Sequence, residues 1–254
     1  MTDRGAYLLI RTPSNPNYHW GNMLMFPGPP GPGDYERWEE LFRSELGNPP
    51  HRVYGWDKER EVAGGGCGGE ASGPAPVGAI EPFLAAGFRV EQTVVLTATE
   101  VHDPPSINRE AVVRPLKSDA DWQAALELGV LCRDFRYGEE GYRTYLAPKM
   151  KTYRRMQDAG LGSWFGAFWG EKLVADMGVF AEAGIARFQS VKTHPDFRRR
   201  GICGTSVAEV ARYALGELGA SQLVMLADPG YQAARIYESV GFVPRERVAG
   251  VARP

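Results

Sequence analysis

The stretch Val191-Lys-Thr-His-Pro-Asp-Phe-Arg-Arg-Arg-Gly-Ile-Cys-Gly204 runs straight into Thr205 and a strongly periodic segment. In that segment Val207, Val210, Ala211, Ala214, Leu215 and Leu218 recur at i, i+3, i+4, i+7, i+8 and i+11, the spacing of an amphipathic helix, and Gly219 is placed to stop it. Upstream, Ala186–Thr193 reads as a strand. The loop therefore joins a strand end to a helix start. A helix N-terminus presents unpaired amide N–H groups and the positive end of the helix dipole, so it suits an anion such as a pyrophosphate. Arg198, Arg199 and Arg200 bring charge to the mouth. Gly201 and Gly204 let the backbone approach closely, with Ile202 and Cys203 between them, and Thr205 offers a hydroxyl. Three arginines alone would favour a solvated basic turn before a surface helix. The order strand, proline, arginines, Gly-x-x-Gly and amphipathic helix favours the phosphate reading.

Working outward, the second half alternates strands and helices. Ala111–Arg114 is a short strand, Trp122–Phe135 and Tyr142–Gln157 are helices, and Ser163–Trp169 and Lys172–Phe180 form a hairpin turning at Gly170-Glu171. After the long helix, Gln222–Ala227 is a buried-type strand and Tyr231–Val240 a last helix ended by Gly241. The order predicts an α/β domain with helices packed on a mixed sheet, α+β in its strand directions. The Pro-containing linker His102–Ser106 divides the chain into a first domain at 1–101 and a second at 107–254. Val62–Pro76, almost all Gly, Ala, Pro and Ser, reads as a mobile loop within the first half.

The totals narrow the function. The net charge of −2 gives no footprint for nucleic acid or an anionic membrane surface. Cys67, Cys132 and Cys203 are far apart and lack metal-ligand spacing, so no metal is expected and reduced thiols in a cytoplasmic protein are. The opening residues carry too short an apolar run for a signal peptide, and no apolar stretch is long enough to span a membrane.

The loop and one further motif resemble the GNAT superfamily of acyl-CoA-dependent N-acetyltransferases. The family's phosphate motif, Arg/Gln-x-x-Gly-x-Gly/Ala, is matched by Arg198-x-x-Gly201-x-Cys203, with Cys203 as the departure. Its second signature, Ala-x-x-x-Tyr ending in Gly-Phe, is matched by Ala233-Ala-Arg-Ile-Tyr237-Glu-Ser-Val-Gly241-Phe242. Gly230 stands where the family often has Asn. The resemblance implies acetyl-CoA as donor, with its pyrophosphate on Arg198–Thr205. It also implies backbone groups of Val191 and Thr193 pairing with the pantetheine arm, and Tyr237 protonating the departing thiolate. The reaction implied is acetyl transfer to a primary amine of a small molecule or peptide by direct attack in a ternary complex. A CoA-binding regulatory module without turnover stays open. Aminoacyl transfer from tRNA on a related double fold is disfavoured by the acidic balance and the intact loop. No base is legible: Asp176, Glu182 and Asp228 each read more readily as structural or solvated carboxylates, and His194 as a turn residue. An aromatic acceptor wall is expected from Phe135, Tyr137, Tyr142, Tyr145 and Tyr153, with Tyr18, His19 and Trp20 from the first half; plain packing accounts for each equally well. The oligomeric state stays open.

The first half reads as a truncated, degenerate copy, giving two tandem GNAT-like domains. Phe83-Leu-Ala-Ala-Gly87-Phe88 mirrors Tyr237-Glu-Ser-Val-Gly241-Phe242. The helix Asp34–Leu46 mirrors the long helix, Trp20–Phe26 and Arg52–Trp56 mirror its flanking strands, and Asp57 mirrors Asp228. The loop Phe26-Pro-Gly-Pro-Pro-Gly-Pro-Gly-Asp34 has no basic residue, and Phe83 has no proton to give. A polyproline docking segment is the alternative for that loop.

Overall fold

The computed structural model describes residues 1–56, 77–229 and 233–253. The Gly-rich segment Val62–Pro76, Cys67, Asp57, Gly230 and the start of the last helix at Tyr231 lie outside them. The chain forms two compact units, Met1–Val94 with Arg245–Pro254, and Val95–Pro244. The division does not fall at the proline linker. Residues Ala249–Arg253 complete the edge of a strand in the first unit, whereas the linker belongs to the second.

The first unit contains β1 (Thr2–Asp3), β2 (Leu8–Ile10), β3 (Met23–Phe26), α1 (Asp34–Leu46), β4 (Arg52–Trp56) and α2 (Glu81–Ala85). β5 (Arg89–Ala98) then runs on into the second unit. The second contains β6 (Ala111–Pro115), α3 (Asp119–Leu131), α4 (Glu139–Asp158), β7 (Gly162–Trp169), β8 (Lys172–Glu182), β9 (Ile185–Thr193), α5 (Ile202–Gly216), β10 (Gln222–Ala227) and α6 (Ala233–Glu238). β11 (Val243–Arg253) leads back to the first.

In the second unit the strands run in the order β10-β9-β8-β7-β6, with β9 and β10 parallel and the other pairs antiparallel. Alternation along β7 sends Trp164 into the core beneath α3 and α4 and Phe165 against Tyr213 of α5, ring centroids 4.9 Å apart. Helices thus cover both faces. α3 starts three residues earlier than the apolar spacing implied, because Ser118 and Asp121 form a reciprocal capping box. It also stops at Leu131, which leaves Phe135 93% exposed; that residue is not part of any aromatic wall.

In the first unit β3, α1 and β4 form a parallel strand–helix–strand crossover, the same unit as β9, α5 and β10. Both helices begin after a left-handed glycine, Gly33 at φ 83° and Gly201 at φ 74°. The Gly-Phe signatures match atom for atom: Phe88 N–H donates to Phe83 O at 3.0 Å, and Phe242 N–H donates to Tyr237 O at 3.1 Å. The two segments therefore share this backbone geometry despite weak identity. Its core stacks Phe26 on Trp38 at 3.8 Å between centroids and buries Phe42, Tyr54 and Phe83 completely. The strand predicted from Trp20 begins only at Met23, since His19–Gly21 is a turn of 3-10 helix. β5 and β11 had no clear sequence signal; β11 carries a proline and three arginines among its apolar positions.

Candidate functional site

β9 and β10 pair over Gln222↔Ile185, Leu223↔Ala186 and Val224↔Arg187, and among the described residues the ladder ends there. β9 continues to Thr193 and β10 to Ala227. The cause lies in β9. Its register with β8 slips between Asp176↔Lys192 and Gly178↔Gln189, so β9 holds one extra residue, and Ser190 adopts φ 50°. Such a bulge bends and twists its strand, and a non-glycine residue in the left-handed region is strained. β9 leaves its parallel neighbour and opens a cleft between the two strands. His194 N–H donates to Val174 O at 2.8 Å, so His194 points its amide at β8. By alternation Thr193 turns its own polar groups the other way, toward the cleft. Val191 sits at the bulge itself.

At the mouth of the cleft, Pro195–Phe197 make a 3-10 turn, Arg199 takes φ 60°, and Gly201 caps α5 at φ 74°. The first intrahelical bond of α5 is Thr205 N–H to Gly201 O, 3.0 Å. The amides of Arg199, Arg200, Gly201, Ile202, Cys203 and Gly204 have no acceptor among the described residues. A run of convergent unpaired donors beside a helix N-terminus is an anion nest.

The side chains divide the work. Arg200 is braced over Phe197 and Trp169, 5.1 and 5.5 Å to their centroids, and bonds Asp196 O at 3.3 Å. Arg198 Nε donates to Thr193 O at 3.2 Å, tying the loop to the strand end. Arg199 is exposed. Thr205 Oγ1 accepts the Asn108 amide at 2.8 Å, and Asn108 Nδ2 donates to Arg200 O at 2.9 Å, so the segment after the proline linker buttresses the nest. The two glycines answer to this buttress as well as to a ligand. A Cβ on Gly201 would stand 2.6 Å from Ser106 O, and one on Gly204 would stand 3.0 Å from Pro104 Cβ and 3.6 Å from Ile236 of α6. Cys203 is sequestered, and burial pushes its thiol up to about 11. Burial likewise raises the Cys132 thiol, against the lowering pull of Lys192 and Arg198. Neither is a thiolate at neutral pH.

Tyr237 lies on α6, 4% exposed, with Phe242 edge-on at 6.5 Å. α6 packs against α5 and β10. Among the other residues weighed from the sequence, Glu182 and Asp228 are exposed. His194 Nδ1 accepts the Asp196 amide at 3.2 Å, a turn role. Asp176 is fully buried; it stands 2.9 Å from Lys192 Nζ and accepts Trp164 Nε1–H at 3.1 Å. Desolvation pushes its carboxyl up, opposed by Lys192. Of the expected aromatic wall, Tyr142, Tyr145 and Tyr153 do line one side of α4, whereas Tyr18, His19 and Trp20 belong to the first unit. Lys149, Arg187 and Lys192 were not singled out in the sequence. The legible signal was Tyr145-x-x-x-Lys149-x-x-x-Tyr153, one helical stripe.

Among the described residues the first unit has no comparable arginine-flanked nest. In the loop before α1, Gly31 N–H donates to Asp34 Oδ2 at 2.8 Å, so the chain's own carboxylate occupies the anion position. An apolar cavity of about 460 Å³ in this unit, lined by Tyr7, Trp20, Met25 and Trp56 above the paired glycines Gly55 and Gly250, holds no arginine or lysine.

Comparison with known families matches residues 122–242 to the acetyltransferase (GNAT) family. This part of the chain is a GNAT acetyltransferase domain. Its fold recurs in solved structures. A functionally unknown conserved protein from Staphylococcus epidermidis ATCC 12228 aligns over 100% of this chain and 92% of its own, at TM-score 0.70 and 12% identity. A GCN5-related N-acetyltransferase from Kribbella flavida aligns over 94% and 83%, at TM-score 0.60 and 13% identity. A tandem GNAT protein from the clavulanic acid biosynthesis pathway aligns over 86% and 68%, at TM-score 0.55 and 13% identity. Among curated proteins no match is found. The GNAT assignment brings acetyl transfer at the family level, and acetyl-CoA is the donor such enzymes generally use. No helix of the described residues is long and apolar enough to cross a membrane.

Proposed function

We propose that the chain is an N-acetyltransferase that takes its acetyl group from acetyl-CoA and delivers it to a primary amine of a small molecule or peptide. The observation that carries this reading is the cleft between β9 and β10, opened by the bulge at Ser190 and ending on the amide nest of Arg199–Gly204. One wall offers a strand edge to an amide-bearing arm; the mouth offers donors and cations to a pyrophosphate. These features fit the donor, whose thioester supplies the activated acetyl group.

In this reading the backbone of Val191 and Thr193 holds the pantetheine arm, and Arg198 through Thr205 form the pyrophosphate seat. Arg199 contributes a cation from solvent, and Arg200 acts from its braced position over Phe197 and Trp169. Tyr237 donates its hydroxyl proton to the departing thiolate, which leaves poorly until protonated. Attack is direct: the thiols of Cys132 and Cys203, both held protonated by burial, do not serve as covalent carriers. Asp176 is sealed beneath Trp164 and Lys192 and does not meet the acceptor. The amine sheds its proton to water. The first unit, without a nest and with Phe83 in the tyrosine position, takes no part in donor binding. Calorimetry with acetyl-CoA and a thiol-release assay over an amine panel test the reading. Binding without thiol release for any amine would assign the chain to a non-catalytic CoA module; no binding would refute the site.

A further inference from the structure

Asp176 and Lys192 form a buried ion pair that acetyl transfer as described above leaves without a task. Asp176 of β8 and Lys192 of β9 stand directly opposite each other across the antiparallel ladder, so their side chains share one face of the sheet. Asp176 Oδ1 lies 2.9 Å from Lys192 Nζ, with side-chain exposures of 0% and 13%. Trp164 Nε1–H donates to the other carboxylate oxygen at 3.1 Å. The indole reaches that far because it crosses Gly178, where a Cβ would stand 2.4 Å from Trp164 Cε3. The Lys192 ammonium lies 5.2 Å from the Trp164 ring centroid. α3 closes over the lysine stem, since a Cβ on Gly129 would stand 3.7 Å from Lys192 Cε.

A buried ion pair is a poor source of stability, because desolvating two charges offsets much of their attraction and an apolar pair of similar size often does as well. This pair makes a contact that an apolar pair cannot. Lys192 Nζ donates to Ser190 O at 3.2 Å. Ser190 is the residue at φ 50°, in the stretch where Ser190 and Val191 of β9 face Met177 alone on β8. A serine held there is strained, and its carbonyl is fixed by an ammonium that Asp176 itself fixes. Contacts thus run unbroken from Trp164 through Asp176 and Lys192 to the bulge. Lys192 also lies in sequence between Val191 and Thr193, the two residues whose backbone the donor reading pairs with the pantetheine arm.

We propose that Asp176 and Lys192 are positioning residues for the donor: their ion pair holds Ser190 in its left-handed conformation and thereby sets the backbone of Val191 and Thr193 for the pantetheine arm. The inference rests on the acetyl-CoA reading above and adds to it the device that shapes the strand. The two side chains act through the β9 backbone and make no contact of their own with the donor. Their loss therefore falls on the part of CoA that lies along the strand, and spares the part that sits on the amide nest.

The test uses the full chain with Lys192→Met and Asp176→Asn combined, which removes both charges, keeps an acceptor for Trp164 and leaves no bare carboxylate in the core. Calorimetry should show CoA weakened about 10-fold, the worth of roughly one hydrogen bond. The nucleotide diphosphate portion of CoA without its pantetheine arm should bind as in the parent. Adding Ser190→Gly, which takes the left-handed conformation without a Cβ, should restore most of the lost affinity. Lys151→Met, an exposed lysine on α4, should change neither ligand. Should the double variant not fold, Lys192→Gln alone carries the same comparison, since burial already favours the protonated Asp176. Amide exchange without ligand reads the clamp directly: it should quicken over residues 189–193 and stay unchanged along β7. Unchanged exchange there, unchanged CoA affinity, equal loss of the two ligands, or no recovery with Ser190→Gly would each overturn the positioning role. Failure of the parent to bind CoA would refute the donor reading instead, and quickened exchange over 189–193 would still establish the clamp on the bulge.

Discussion

Lys149 gives the sharpest physical test, because burying its charge beside Lys192 and Arg187 is a cost to folding. Its folded pKa is about 8, against 10.5 for a free lysine, through burial first and then Lys192 and Arg187. A shift of this size corresponds to about 3 kcal/mol at ~1.4 kcal/mol per unit. Water reaching the part-exposed ammonium screens this to about 1–2 kcal/mol. The sign follows from linkage. Below pH 8 the group is charged in both states and the full cost of burying the charge is present. Between about 8 and 10.5 the unfolded chain binds more protons than the folded one, so stability rises with pH. Above 10.5 the cost is gone. Lys149→Met removes the charge and forfeits the bond to Tyr145, worth about 1 kcal/mol at most where the hydroxyl reaches water. The variant should match or exceed the parent at pH 7, and the parent should gain about 1–2 kcal/mol on it between pH 8 and 10.5. Paired urea titrations across that range measure this, since the difference between the two proteins cancels every other titrating group. A difference that stays flat from pH 7 to 10.5 would refute the lowered pKa of Lys149.

The remaining tests address the donor site and the repeat. Tyr237→Phe should lower turnover by about 10²–10⁴ with acetyl-CoA affinity little changed, read by thiol release and calorimetry; equal turnover would leave the tyrosine a packing residue. Arg198→Ala with Arg199→Ala should weaken CoA more than an analogue lacking the phosphates, and equal losses would remove these arginines from the pyrophosphate seat. Gly201→Ala meets Ser106 O and must hold φ 74°. It should therefore lose roughly 1–2 kcal/mol from backbone strain alone, seen in thermal melts, and weaken CoA binding. Acetyl-CoA should bind with one site per chain; two equivalent sites would contradict the degeneracy of the first unit.

The sequence by itself determined the elements whose cause is local. The helix Ile202–Gly216 was legible from apolar spacing, and the loop Arg198–Gly204 from its glycines and arginines. The turn closing at Phe242 was legible from its Gly-Phe signature, as was the matching turn at Phe83-Leu-Ala-Ala-Gly87-Phe88, and the helix over Asp34–Leu46 from its apolar spacing. Each depends on residues near one another in the chain, where periodicity, capping and left-handed glycines act. Tertiary structure decided the rest. The bulge at Ser190 is a feature of the pairing of β9 with β8, and no motif announces it. β11 is a strand because Ala249–Arg253 find the edge of β4, some 200 residues earlier. The buttress of Gly201 and Gly204 by Pro104 and Ser106, and the meeting of Lys149 with Arg187 and Lys192, likewise join distant segments. Sequence spacing reports which face of its own element a side chain takes, and only the packing of elements reports what stands opposite.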